Sequence, residues 1–92
     1  MSSMNRAQRM QAALAAAFQP TMLTIEDESA RHAGHAGASP AGETHFCVTM
    51  ASPAFAGMNR VARSRAVHEA LAPEFLSGLH ALSLRLRAPN EV

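Results

Sequence analysis

Residues 44–51 read Thr44-His45-Phe46-Cys47-Val48-Thr49-Met50-Ala51, and their alternation decides the class of fold. Phe46, Val48 and Met50 fall on one face and His45, Cys47 and Thr49 on the other, the period of a half-buried strand. Upstream, Met22-Leu23-Thr24-Ile25-Glu26 repeats that period with Leu23 and Ile25 on one face. Downstream, Leu79 to Arg87 predicts a third strand that Pro89 ends. His80, Leu82, Leu84 and Leu86 lie inward there, with His80 at the core's edge, and Ala81, Ser83, Arg85 and Arg87 lie outward.

Outside these runs the period becomes helical. Met4, Ala7, Met10, Leu14 and Phe18 form one stripe, Ser2 or Ser3 can cap it, and Pro20 stops it. Ser52-Pro53 closes the second strand, Phe55-Ala56-Gly57 turns the chain, and Asn59 caps a helix over 60–71. Ser64, Val67 and Leu71 share a stripe of that helix, with Ala62, Ala66 and Ala70 beside it. Pro73 ends it and starts a short helix through Leu76, and Ser77-Gly78 turns into the last strand. The order helix, strand, strand, helix, short helix, strand predicts an α+β fold. It is one small domain over residues 1–92, a three-stranded sheet with helices on one face. Residues 1–3 and 89–92 are expected to fray.

Composition narrows the function. The chain has 92 residues, 48% of them hydrophobic and 16% charged, so it suits one small globular domain. A net charge of +1 excludes strong bulk attraction to nucleic acid or anionic membrane. A single cysteine, Cys47, excludes an internal disulfide and any site that needs several thiolates from this chain. All 8 basic residues are Arg, which excludes lysine catalysis and a phosphate-loop lysine. No apolar run approaches a membrane span. The first eighteen residues carry Arg6 and Arg9 without acid, which superficially suits a transit peptide, but their spacing reads better as a folded helix. These features place the protein in a reducing cytoplasm.

The segment with most chemical content is Arg31-His32-Ala33-Gly34-His35-Ala36-Gly37, inside a long loop from Glu28 to Glu43. Imidazole is a common ligand for transition metals, and small neighbours let a bulky group approach. Two histidines fall short of a first shell, and by themselves they read as a solvated loop. His80 by itself reads as a satisfied polar group. If the last strand runs the right way, however, it meets the His32 loop at one end of the sheet, making an incomplete site that a partner would finish. His45 and Cys47 share a strand face and read as surface. His68 reads as solvent-facing beside Glu69, and Glu26-Asp27-Glu28 as a solvated acidic run. No Ser/His/Asp arrangement or zinc framework is visible. Arg60, Arg63 and Arg65 cluster on one helix and could follow phosphates, with Arg85 and Arg87 on the last strand. Gly34-His35-Ala36-Gly37 matches a GxxG string, but it lies between strands rather than helices and is discounted.

Several dispersed motifs together resemble the BolA family, from about Arg6 to Pro89. They are Asp27-Glu28-Ser29 with His32, Gly42-Glu43-Thr44-His45-Phe46, Phe55-Ala56-Gly57, Val61-Ala62-Arg63-Ser64-Arg65-Ala66-Val67 and Leu79-His80-Ala81-Leu82-Ser83. The resemblance implies a small domain like a class II KH domain. It further implies a non-enzymatic partner of CGFS monothiol glutaredoxins, the two proteins sharing a [2Fe-2S] cluster in iron-sulfur trafficking or iron and redox regulation. The histidine that matches His80 would be one ligand and His32 the second, with His35 an alternative three residues on. The glutaredoxin would supply its cysteine and a bound glutathione thiol. Imidazole in place of thiolate raises a cluster's potential. The isolated chain is expected to be a cluster-free monomer or weak homodimer. The alternative implied is a DNA-binding transcriptional regulator of stress response and morphology, acting through Arg60, Arg63 and Arg65. One departure stands out: the family usually has Arg-His-Arg where this chain has Arg63-Ser64-Arg65.

Overall fold

The computed structural model describes residues 5–28 and 45–91. Helix α1 (Arg6–Phe18) is followed by strands β1 (Met22–Asp27) and β2 (His45–Ala51), a 3-10 turn at Pro53–Phe55, helices α2 (Arg60–Ala70) and α3 (Ala72–Leu76), and strand β3 (Ala81–Arg87). The sheet order is β1-β2-β3. β1 pairs antiparallel to β2, with Ile25 opposite Val48. β3 pairs parallel to β2, with Val48 opposite Leu84. The expected α+β domain, with one three-stranded sheet, is the observed one.

The period-two reading explains the layers. Phe46, Val48 and Met50 on the central strand are fully buried against Met10, Leu14, Phe55, Val67 and Leu71, with Leu23, Ile25, Leu82, Leu84 and Leu86 packed around them. On the opposite face Thr24, Glu26, Ser83, Arg85 and Arg87 are exposed. Cys47 lies on that helix-free face yet is buried, because it sits on the central strand in register between Glu26 and Ser83.

Local signals set the element ends. Asn5, rather than Ser2 or Ser3, caps α1: its side chain accepts the Gln8 N–H while the Gln8 side chain accepts the Asn5 N–H. This reciprocal pair satisfies two orphan donors, which a lone serine cannot do. Asn59 caps α2 as its sequence position predicts, accepting from the Ala62 N–H. Between them Phe55 to Met58 form a type II turn, in which Ala56 has φ −59° and ψ 131° and Gly57 has φ 79°. That positive φ is why glycine follows Phe55-Ala56.

β3 begins two residues later than the alternation suggests. The chain is still turning at Gly78, with φ 128°, and the Leu79 N–H donates to the Glu74 carbonyl. Leu79 is therefore the inward residue, and His80 is exposed instead of facing the core.

Two polar knots join α1 to the rest. The buried Ser52 hydroxyl donates to the Phe18 carbonyl at 2.6 Å and accepts the Ala54 N–H, tying the end of α1 to the end of β2. At the other end of α1, buried Arg6 and half-exposed Arg9 converge on buried Glu74 of α3, at 3.1 Å and 3.0 Å. Arg6 also donates to the Ser77 carbonyl. A Cβ at Gly78 would lie 3.3 Å from the Arg6 guanidinium, a tight contact, and the positive φ of this turn favours glycine.

Hydrogen bonds from Arg9, and then Arg6, hold the Glu74 carboxyl below its ordinary range although burial pulls it upward. A carboxylate with a depressed folded pKa contributes its full stabilisation above its unfolded pKa and loses it as pH falls through the folded value. Glu74→Gln leaves two guanidiniums facing a neutral amide and should cost about 2–3 kcal/mol in urea unfolding at pH 7. It should also flatten the acid side of the stability profile, so a variant whose acid limb matches the parent's would contradict this account.

Candidate functional site

The parallel pairing of β2 and β3 decides where the candidate histidine lies. His45 opens β2 and pairs with Ala81, which opens β3, while Asp27 at the end of β1 pairs with Phe46. The Glu28 N–H donates to the His45 carbonyl at 2.7 Å. Glu28 and His45, which flank residues 29–44, therefore meet His80 at one end of the sheet. The strand direction that this convergence requires is the observed one. His80 is exposed there, and no hydrogen bond engages its imidazole among the described residues. His32 and His35 lie outside the described residues. Among the described residues no three His, Cys, Asp or Glu side chains converge as a metal site. His80 can thus offer one nitrogen to a large group approaching the sheet end. A first shell would need further donors from 29–44 or from another chain.

The arginine helix is less uniform than its sequence suggests. Arg60 and Arg65 are exposed, but the Arg63 side chain is only 12% exposed. Its two terminal nitrogens grip the Glu91 carboxylate at 2.7 Å each. It also donates to the Phe55 carbonyl at 2.9 Å and lies over the Phe55 ring, 5.8 Å from the centroid. Glu91 in addition accepts the Ala88 backbone N–H. Arg63 is thus committed to the fold and drops out of the phosphate-following set. The same latch holds residues 88–91, where fraying was expected. Its hydrogen bonds, chiefly those from Arg63, push the Glu91 carboxyl down to about 2.

Comparison with known proteins identifies the family and matches the fold. The family model for BolA-like proteins matches residues 14–91. The chain belongs to the BolA family. It is 47% identical to the chloroplastic protein BOLA1 of Arabidopsis thaliana, covering 95% of this chain and 56% of that one. It is 49% identical to an uncharacterized Sinorhizobium protein, named from the cobS 5' region, over 82% of both chains. The solved structure of Arabidopsis BolA1 superposes with a TM-score of 0.86 at 45% identity, covering 99% of each chain. The BolA domain of Arabidopsis SufE1 superposes with a TM-score of 0.85 at 40% identity, covering 99% of this chain and 100% of that one. The chain spans little more than half of the full BOLA1 protein and 25% of the full SufE-like protein 1. No described helix is long and apolar enough to cross a membrane.

Within this BolA-family chain position 64 of Arg63-Ser64-Arg65 engages His68 through its backbone, a contact that does not depend on the serine side chain. The Ser64 carbonyl lies 2.8 Å from His68 Nδ1. A carbonyl only accepts, so Nδ1 donates, and Nε2 of the neutral ring is left as the outward acceptor. The imidazole stacks on Phe75, with centroids 5.3 Å apart and planes at 16°. His68 is exposed, as its sequence position predicts, but it is held rather than free. The reading from sequence missed Arg63, Glu91 and Ser52 as structural residues. Only the Pro89 turn, which brings Glu91 back toward α2, hinted at one of these contacts.

Because His80 is exposed and makes no hydrogen bond among the described residues, His80→Ala should change unfolding free energy by less than about 0.5 kcal/mol. Any loss of function would then report on the imidazole itself. Arg63→Met should instead speed hydrogen exchange at Ala88 and Glu91 by at least tenfold. Unchanged protection there would argue against the latch.

Proposed function

We propose that this BolA-family chain is a non-enzymatic adaptor that pairs with a CGFS monothiol glutaredoxin and shares a [2Fe-2S] cluster with it. The observation that carries the reading is the convergence of exposed His80 with Glu28 and His45, the residues that flank 29–44, at one end of the sheet. In this reading His80 is one ligand and His32 the second, with His35 as the alternative. The glutaredoxin and its glutathione supply the thiolates. The bound cluster would bring reversible one-electron chemistry, at a potential that imidazole ligation raises. What this chain contributes is an exposed His80 just before the start of β3, at the sheet end where Glu28 and His45 also lie. A reducing cytoplasm suits the pairing, since it keeps the thiols of both partners reduced. Arabidopsis SufE1, in which a BolA domain is one part of a longer protein, supports the view that this fold works as a module beside other domains.

The DNA-binding alternative loses its central residue, because Arg63 grips Glu91. Arg60 and Arg65 remain on α2 but are too few to replace it, and we do not adopt that reading.

The test is titration of the chain into a [2Fe-2S]-loaded CGFS glutaredoxin, followed by visible absorption and circular dichroism. The expected result is a changed spectrum at one-to-one stoichiometry that His80→Ala abolishes. Loss with His32→Ala but not with His35→Ala would assign the loop ligand. An unchanged spectrum with the parent chain would overturn the proposal.

A further inference from the structure

β3 is the edge of the sheet, and its outer side is open in a particular way. The Arg87 carbonyl accepts from the Ser52 N–H, so it points toward β2. Backbone groups alternate along a strand, so Leu82, Leu84 and Leu86 direct their N–H and C=O groups to the free edge. The one contact there agrees: Arg63 reaches the Leu86 carbonyl from α2, at 3.5 Å. Nothing caps the edge groups of Leu82 and Leu84 among the described residues.

A groove of about 900 Å³ runs beside this edge, between β3 and α2. Its floor is the half-buried faces of Leu82, Leu84 and Leu86. Arg60 lines one side, Arg85 and Arg87 line the other, and no acidic residue is among the described lining residues. An exposed strand edge is a template for another strand, and the neighbouring pockets then set which side chains it accepts. Side chains on the α2 side of an added strand would meet leucine, and those on the opposite side would meet Arg85 and Arg87. No Phe, Tyr or Trp is among its described lining residues, and its one imidazole, His68, is already stacked on Phe75, so the groove offers little of the aromatic platform on which single-stranded nucleic acid stacks.

We propose that the free edge of β3 takes an extended segment of a partner protein in which apolar and acidic residues alternate, adding it as a fourth strand. The apolar residues pack on Leu82 and Leu84 beneath α2, and the acidic ones pair with Arg85 and Arg87. This surface does not use His80, so it stands apart from the cluster-sharing reading.

The probe is a fluorescein-labelled octapeptide that alternates valine and glutamate. It is compared by anisotropy with a peptide of the same composition in two blocks and with a twelve-nucleotide oligothymidylate, all on the full chain. The alternating peptide should bind at least tenfold more tightly than the block peptide, and more weakly as salt is raised. Backbone amide resonances of Leu82 and Leu84 should shift on binding. The double variant Arg85→Glu, Arg87→Glu should weaken binding at least tenfold without lowering the Tm, since both side chains are exposed. Equal binding of the block peptide, unshifted Leu82 and Leu84 amides, or displacement of the peptide by oligothymidylate would each overturn the proposal.

Discussion

The parallel pairing of β2 with β3 is the constraint on which the rest of the structure depends. A parallel neighbour cannot be reached by a tight turn, so the chain must cross back over the sheet between the two strands. The 3-10 turn, α2 and α3 are that crossover, and they cover one face of the sheet because they must pass over it. The same pairing puts the first residues of both strands at one end. For that reason His80 stands beside the point where the 29–44 segment rejoins the sheet. An antiparallel β3 would have carried His80 to the opposite end.

The crossover helices need anchoring, because a domain of this size buries a small core. The cluster of Arg6, Arg9 and buried Glu74 fastens α1 to α3, and the Ser52 hydroxyl fastens the other end of α1 to β2. Arg63 and Glu91 fasten α2 to the segment after β3. Each joins parts of the chain that are far apart in sequence. Three of the arginines thus serve the architecture, and of the exposed arginines among the described residues Arg60, Arg65, Arg85 and Arg87 lie outside these pairs. An arginine count taken from the sequence overstates the positive surface, because guanidinium groups are well suited to partly buried, multidentate pairing.

Much of the fold was legible because it rests on short-range periodicity. The alternation at Phe46, Val48 and Met50, the cap at Asn59 and the turn at Gly57 are local properties, and each appears where its residues predict. The failures were also physical. Asn5 displaced the serines as the α1 cap because a reciprocal bond with Gln8 outcompetes a single one. His80 was placed inward by extending the alternation past Gly78, where the backbone is still turning and Leu79 takes the inward place. At the candidate site, His80 was legible as a residue of interest. Its exposure and its neighbours were not.

By itself the sequence determined the element order, the residues of the core face and the family, since these depend on hydrophobic period, turn chemistry and dispersed motifs. Only the tertiary structure decided that β3 lies parallel to β2, that its edge is free beside α2, and that Arg63 is held by Glu91 rather than presented to solvent. The reason is one of range. Periodicity reports which face a side chain takes, but strand direction, edge exposure and long-range ion pairs depend on how distant segments close upon one another, and no local pattern encodes that closure.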